Sequence, residues 1–148
     1  MTKLAVSACL LGEPCRYDGG AKGHAAVCAL AKREGALALC PEGLGGLPVP
    51  RLPSEIVGGD GADVLGGRAR VVDSAGADVT AAFLLGARRA LALCEEAGVR
   101  EAVLKARSPS CGAGAIYDGS FSGKTRPGWG VAAALLRQNG IRVRTEED

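Results

Sequence analysis

Three short apolar runs constrain this chain most, because each delivers a cysteine just past its C-terminal end. Leu4-Ala5-Val6 leads through Ser7-Ala8 to Cys9, and Ala36-Leu37-Ala38-Leu39 leads directly to Cys40. Ala102-Val103-Leu104 leads through Arg107-Ser108-Pro109-Ser110 to Cys111. Runs of this length, closed by turn residues, predict buried strands. Helical spacing fills the gaps between them. Residues 24–33 form an Ala-rich helix stopped by Gly35, and Asp78 caps a helix over 79–96 that Gly98 ends. Phe83, Ala87, Ala90, Cys94 and Ala97 recur along that second helix at helical spacing. A last helix over 131–138, stopped by Gly140, precedes a last strand at 141–143 and a polar tail at 145–148. Strands alternating with helices predict an α/β class: one three-layer-like domain over residues 1–148 with a mainly parallel sheet. Ligands of such sheets bind outside the carboxyl ends of the strands, where Cys9, Cys40 and Cys111 would meet.

The length of 148 residues suits one domain with a proper core. Its 18 basic and 16 acidic residues nearly cancel, which argues against a nucleic-acid polymer or a membrane surface as partner. With aromatics at 3% and 23 glycines, the core must be Ala, Leu and Val, with many turns. Six cysteines would suit an exported disulfide framework, and Val6-Ser7-Ala8-Cys9 looks like the end of a lipoprotein signal. Only Leu4 to Ala8 separate Lys3 from Cys9, however, short of the roughly 7–15 apolar residues a signal needs. No stretch approaches the ~20 apolar residues of a membrane span. The expectation is a cytoplasmic protein with reduced thiols. Residues 41–61 hold four of the seven prolines and read as an ordered binding loop. Segments 64–65 and 70–72 suggest a small hairpin, and 116–127 is turn-rich.

Cys28 and Cys94 lie on apolar helical runs and read as small buried hydrophobes. Cys9, Cys40 and Cys111 sit on loops, where metal binding or catalysis is the better reading; Cys15 stays open between a fourth ligand, a thiol beside the site and a bystander. Zinc usually takes four closed ligands, and no C-x-x-C pair is present. Three thiolates from distant points suit an iron–sulfur cluster with one iron lacking a protein ligand, and an open position is how a metal becomes a Lewis acid. The stretch 118–125 resembles a phosphate-binding loop but lacks its first glycine and has Arg126-Pro127 where a helix should start. His24, the sole histidine, is a poor base for a cysteine nucleophile, and Cys9 to Cys15 is too wide for a redox dithiol. Glu42, two residues after Cys40, could orient or deprotonate a water, or merely solvate its loop. Of Ser108 and Ser110, one could bond substrate or cluster sulfide while the other stabilises the turn. Arg16, Arg51, Lys105, Arg107, Lys124 and Arg126 are loop cations, of which at most two are expected to hold an anionic substrate.

Several blocks together resemble a family: Val6-Ser7-Ala8-Cys9-Leu10-Leu11-Gly12, Cys15-Arg16-Tyr17-Asp18-Gly19, Cys40-Pro41-Glu42 with Gly45-Gly46-Leu47-Pro48, and Ser108-Pro109-Ser110-Cys111-Gly112. Ile116-Tyr117-Asp118-Gly119 and Gly140-Ile141 extend the match over essentially the whole chain. They are similar to the TudS-type thiouracil desulfidases, a small bacterial family long known as a domain of unknown function. The resemblance implies a 4Fe–4S cluster on Cys9, Cys40 and Cys111, with one open iron, and non-redox removal of sulfur from thiolated pyrimidines. The implied substrate is a small thiolated base, 2- or 4-thiouracil, or the thiolated uridine nucleotide linked to longer two-domain relatives; the second domain is not expected here. The reaction expected on that basis uses the open iron as Lewis acid toward the thiocarbonyl sulfur. Glu42 activates the attacking water, and Ser108 positions ring or sulfur. The competing expectation is a cluster- or zinc-binding protein with a structural or sulfur-carrier role.

Overall fold

A computed structural model describes residues 3–14, 16–19 and 23–148; Cys15 lies outside the described residues. The first half of the chain runs β1 (Leu4–Ser7), a 3-10 turn (Ala8–Leu11), α1 (Ala25–Glu34), β2 (Ala36–Leu39), α2 (Pro41–Leu44), β3 (Ser54–Val57), α3 (Gly61–Leu65) and β4 (Arg70–Asp73). It continues through α4 (Thr80–Ala97), β5 (Glu101–Leu104), β6 (Ala113–Tyr117), β7 (Thr125–Trp129), α5 (Val131–Gln138) and β8 (Arg142–Thr145).

The expected α/β architecture is present. Four parallel strands form the central sheet in the order β2-β1-β5-β8. Period-2 alternation along these short strands divides the core between two faces. Leu4, Val6 and Val103 pack with Val27 of α1, whereas Ala5, Ala102 and Leu104 pack with Ala90 and Cys94 of α4 and with Ala133 and Leu136 of α5. Helix–sheet–helix layering follows. Leu104 has no exposed surface, and loss of such a side chain costs about 2–5 kcal/mol. The chain steps one way from β1 to β2, then returns past β1 to β5 and onward to β8. Right-handed crossovers place helices on opposite faces when the stepping direction reverses. The reversal falls between β1 and β5, where the chain segments leaving the two strands diverge and leave a crevice.

A second cluster, Ile56, Val64, Val71, Phe83, Ile116, Val131 and Ala132, joins α3, α4 and α5 to two antiparallel pairs. Here the structure corrects the sequence reading. The 64–65 segment belongs to α3, and β4 pairs instead with β3 from the proline-rich stretch, Ile56 opposite Val71. Asp60 caps α3 with a reciprocal capping box to Asp63, a local signal stronger than the two apolar residues read as a strand. Residues 41–61 are more regular than expected, since Pro41 at the first turn starts α2. The 116–127 region holds much of the β6–β7 hairpin, and the phosphate-loop-like stretch is its connection, running into a strand rather than a helix. α4 starts one residue later than expected, with Val79 as its N-cap and no side-chain cap bond; Asp78, one residue before it, accepts the Thr80 amide through Oδ1 at 2.9 Å. No helix among the described residues is long and apolar enough to cross a membrane.

Candidate functional site

At the carboxyl ends of the central strands lies a cavity of about 380 Å³, within the roughly 300–1,000 Å³ of small-molecule sites. Cys9, Cys40 and Cys111 all line it. Their separate origins are reconciled by backbone contacts that the strand ends make. Ser7 Oγ accepts the Lys105 amide at 2.9 Å, which ties the end of β1 to the end of β5. The Cys111 loop docks on the start of α5: the carbonyls of Pro109 and Ser110 accept from the amides of Val131 (2.8 Å) and Ala133 (3.0 Å). These amides lack partners inside their own helix, so the loop supplies a cap that Gly130 has no side chain to provide. A Cβ at Gly130 would meet Ser110 C at 2.5 Å and Cys111 N at 2.7 Å, so only glycine admits the loop this closely.

Cys40 and Glu42 are carried by α2, which lies against α4 at a backbone-to-backbone contact. A Cβ at Gly86 would collide with the Pro41 carbonyl oxygen. Glu42 then reaches across to the Cys111 loop. Its Oε1 accepts from Arg51 Nε at 3.0 Å and its Oε2 from Ser110 Oγ at 3.1 Å. Two lone-pair sites on each oxygen leave room for a water. The Ser110 hydroxyl also lies 3.6 Å from Cys111 Sγ and 3.0 Å from Ser108 Oγ. Ser108 lines the cavity too, with its Oγ accepting the amides of Ser110 and Cys111 at 3.1 Å each. Ser108 closes the turn while also lining the cavity, and Ser110 touches both the carboxylate and the thiol.

Burial dominates the thiol electrostatics. It pushes the Cys111 thiol up to about 12, against the opposing hydrogen bonds of Ser7 and Ser110, and neighbouring Cys9 and Glu42 add to the rise. Burial also raises Cys9, opposed first by Lys105, reinforced by Cys40, then eased by Arg16. Such thiols remain protonated at neutral pH unless a metal cation stands beside them, and coordination deprotonates a thiol outright. The donor set fits an iron–sulfur cluster: three sulfurs around one cavity, a hydroxyl directed at one of them, and cations nearby. Among the described residues no three His, Cys, Asp or Glu gather as a site for a single ion. A cluster needs no such point, since each thiolate takes its own iron.

Arg16, Arg51 and Lys105 line the cavity, but Arg51 is engaged by Glu42, and Lys105 Nζ pairs with Glu146 Oε2 at 3.1 Å. Arg107 instead meets Glu147 at 2.8 Å, and Lys124 and Arg126 lie outside the lining. His24 Nδ1 accepts from the Val27 amide as the cap of α1, away from the cavity. Cys94 is fully buried, and the Cys28 thiol donates to the Leu10 carbonyl at 3.4 Å. Missed from sequence were Ser7, Tyr17, Phe121 and Glu146, while Glu55 lay inside the stretch read as a binding loop. Ser7 and Tyr17 stood within motifs without a signal of their own, and Glu146 was read as tail.

The family model for 2-thiouracil desulfurase matches residues 4–148. The uncharacterized protein YbbK of Bacillus subtilis (strain 168) is 46% identical over 145 residues, 98% of this chain and 96% of that protein. The solved structure of the [4Fe-4S]-dependent thiouracil desulfidase TudS is 48% identical, with a TM-score of 0.85, covering 99% of this chain and 92% of that one. Nearly complete coverage in each comparison takes in both the sheet and all three cysteine-bearing strand ends, so the chain belongs to the 2-thiouracil desulfurase family.

Proposed function

We propose that this protein is a desulfidase that hydrolyses the C–S bond of a thiolated pyrimidine, 2- or 4-thiouracil or the thiolated uridine nucleotide, to the uracil-type product and sulfide. The observation that carries the reading is three cysteine thiols around one cavity with a shielded carboxylate beside them, in a chain of this family. Cys9, Cys40 and Cys111 would hold a 4Fe–4S cluster, within one cluster-binding domain over residues 1–148. When bound, the cluster would supply a Lewis-acidic iron without a protein ligand, which would polarise the C–S bond. The remaining chemistry belongs to the chain. Glu42, fixed between Arg51 and Ser110, orients a water and takes its proton as the oxygen adds to the ring carbon. The carbon–oxygen bond forms, the carbon–sulfur bond breaks, and sulfur leaves as hydrosulfide with no change in oxidation state. Ser108 and Ser110 form a hydroxyl chain to Glu42 through which Ser108 positions ring or sulfur.

Anaerobic reconstitution with iron and sulfide, followed by 2-thiouracil, 4-thiouracil and their nucleotides, tests the reading. A brown protein releasing uracil-type product and sulfide in equal amounts is expected. Glu42→Gln should keep iron content and lose about 100-fold or more in kcat, whereas Cys111→Ala should lose the iron. A colourless protein that binds zinc instead would overturn the proposal.

A further inference from the structure

The chain has only five aromatic residues, two Phe, two Tyr and one Trp, yet Tyr17, Tyr117 and Phe121 all line the one cavity. Tyr117 is engaged in a side-chain hydrogen bond with Arg107. Tyr17 and Phe121 are different: each is 38% exposed, large and apolar, on segments about as far apart in sequence as the site allows. Their backbones are nevertheless pinned to one short stretch. The Arg51 amide donates to the Tyr17 carbonyl, and Glu55 Oε1 accepts the amides of Gly119 (2.9 Å) and Phe121 (3.2 Å). Phe121 is held at φ +56°, a conformation that bulky L residues rarely adopt. Arg16, which also lines the cavity, lies over the Tyr17 ring at 5.8 Å from its centre.

A hairpin connection that needed only to turn would not fix its largest apolar side chain, half exposed, at the mouth of a site. We propose that Phe121 is a substrate-binding residue, its ring face stacking on the pyrimidine ring of the substrate, with Tyr17 as the second aromatic wall. The proposal rests on the thiopyrimidine reading for the identity of that ring. Stacking reads the π-face and not the sulfur, so it acts alike on substrate and product and belongs to KM rather than kcat.

Uracil, which has the ring without the sulfur, separates the two readings. Its binding to the reconstituted protein is measured by equilibrium dialysis, alongside thiouracil turnover. Phe121→Ala should weaken uracil binding and raise the thiouracil KM together by about 5-fold to 100-fold, with kcat within about two-fold. Phe121→Trp should bind uracil at least as tightly as the wild type, and Phe121→Leu, equally apolar but without a π-face, should bind like the Ala variant. Tyr17→Ala should be weakened in the same direction. Unchanged uracil binding in Phe121→Ala, equal binding by the Leu and Trp variants, or no uracil binding by the wild type would each overturn the platform. A protein that binds uracil through Phe121 yet leaves thiouracil intact would uphold the platform while the desulfidase reading fails.

Discussion

Gly86 lies inside the 18-residue helix α4, where composition alone argues for replacement by alanine. Alanine in a helix interior is favoured over glycine by about 1 kcal/mol. The tertiary structure argues the other way. A Cβ at Gly86 lands within the Pro41 carbonyl group, 2.9 Å from its carbon, and 3.2 Å from Gly45 N. The contact is reciprocal, because a Cβ at Gly45 would strike the Ala82 carbonyl. All of these are backbone atoms, so no side chain can swing aside, and α2 must withdraw from α4. Overpacking of this kind costs about 1–3 kcal/mol, and a backbone collision belongs at the top of that range. The clash therefore outweighs the helix propensity, and Gly86→Ala should be destabilised by about 1–2 kcal/mol, or a fall in Tm of about 2–8 °C for a chain of this length. Because α2 carries both Cys40 and Glu42, the larger effect is functional. A shift of about 1 Å in a catalytic group can cost about 100-fold in rate. Calorimetry of the metal-free protein, iron per chain after reconstitution, and thiouracil turnover measure the three consequences separately. A Gly86→Ala protein that melts higher than wild type, with full iron and full turnover, would refute the close-approach reasoning.

Ser110→Ala removes the hydroxyl that meets Glu42 and Cys111, and should lower kcat by about 10-fold to 100-fold with iron retained. Ser108→Ala leaves two loop amides without their acceptor and should cost about 1–3 kcal/mol in stability and lower iron content; the opposite pattern in the two variants would reverse their assigned roles. Cys94 is held at about 11 by burial, above its ordinary 9.0, so the folded state keeps its proton more tightly than the unfolded one. That stabilisation is fully present below pH 9 and is lost as pH rises through 11. The wild-type chain should lose about 2 kcal/mol relative to Cys94→Ala between those pH values in urea titrations, and parallel pH profiles would count against it.

Much of this protein was decided locally. Leu4-Ala5-Val6, Ala36 to Leu39 and Ala102-Val103-Leu104 are strands because short apolar runs closed by turn residues bury best that way, and the helix stops at Gly35 and Gly98 need only their own φ. Alternation of strands and helices then set the parallel sheet, and with it the end at which Cys9, Cys40 and Cys111 emerge. Only the tertiary structure decided what surrounds those thiols. Four-residue α2 is too short to leave a periodic trace, and its seat depends on Gly86, a residue that local rules disfavour. Ser110 and not Ser108 meets Glu42 because the loop hangs on amides of α5 that occur later in the chain. Glu146 reaches Lys105, and Glu55 fixes Phe121, across 41 and 66 positions of sequence. Contacts at such separations are set by where right-handed crossovers bring strand ends together, and no pattern along the chain encodes them.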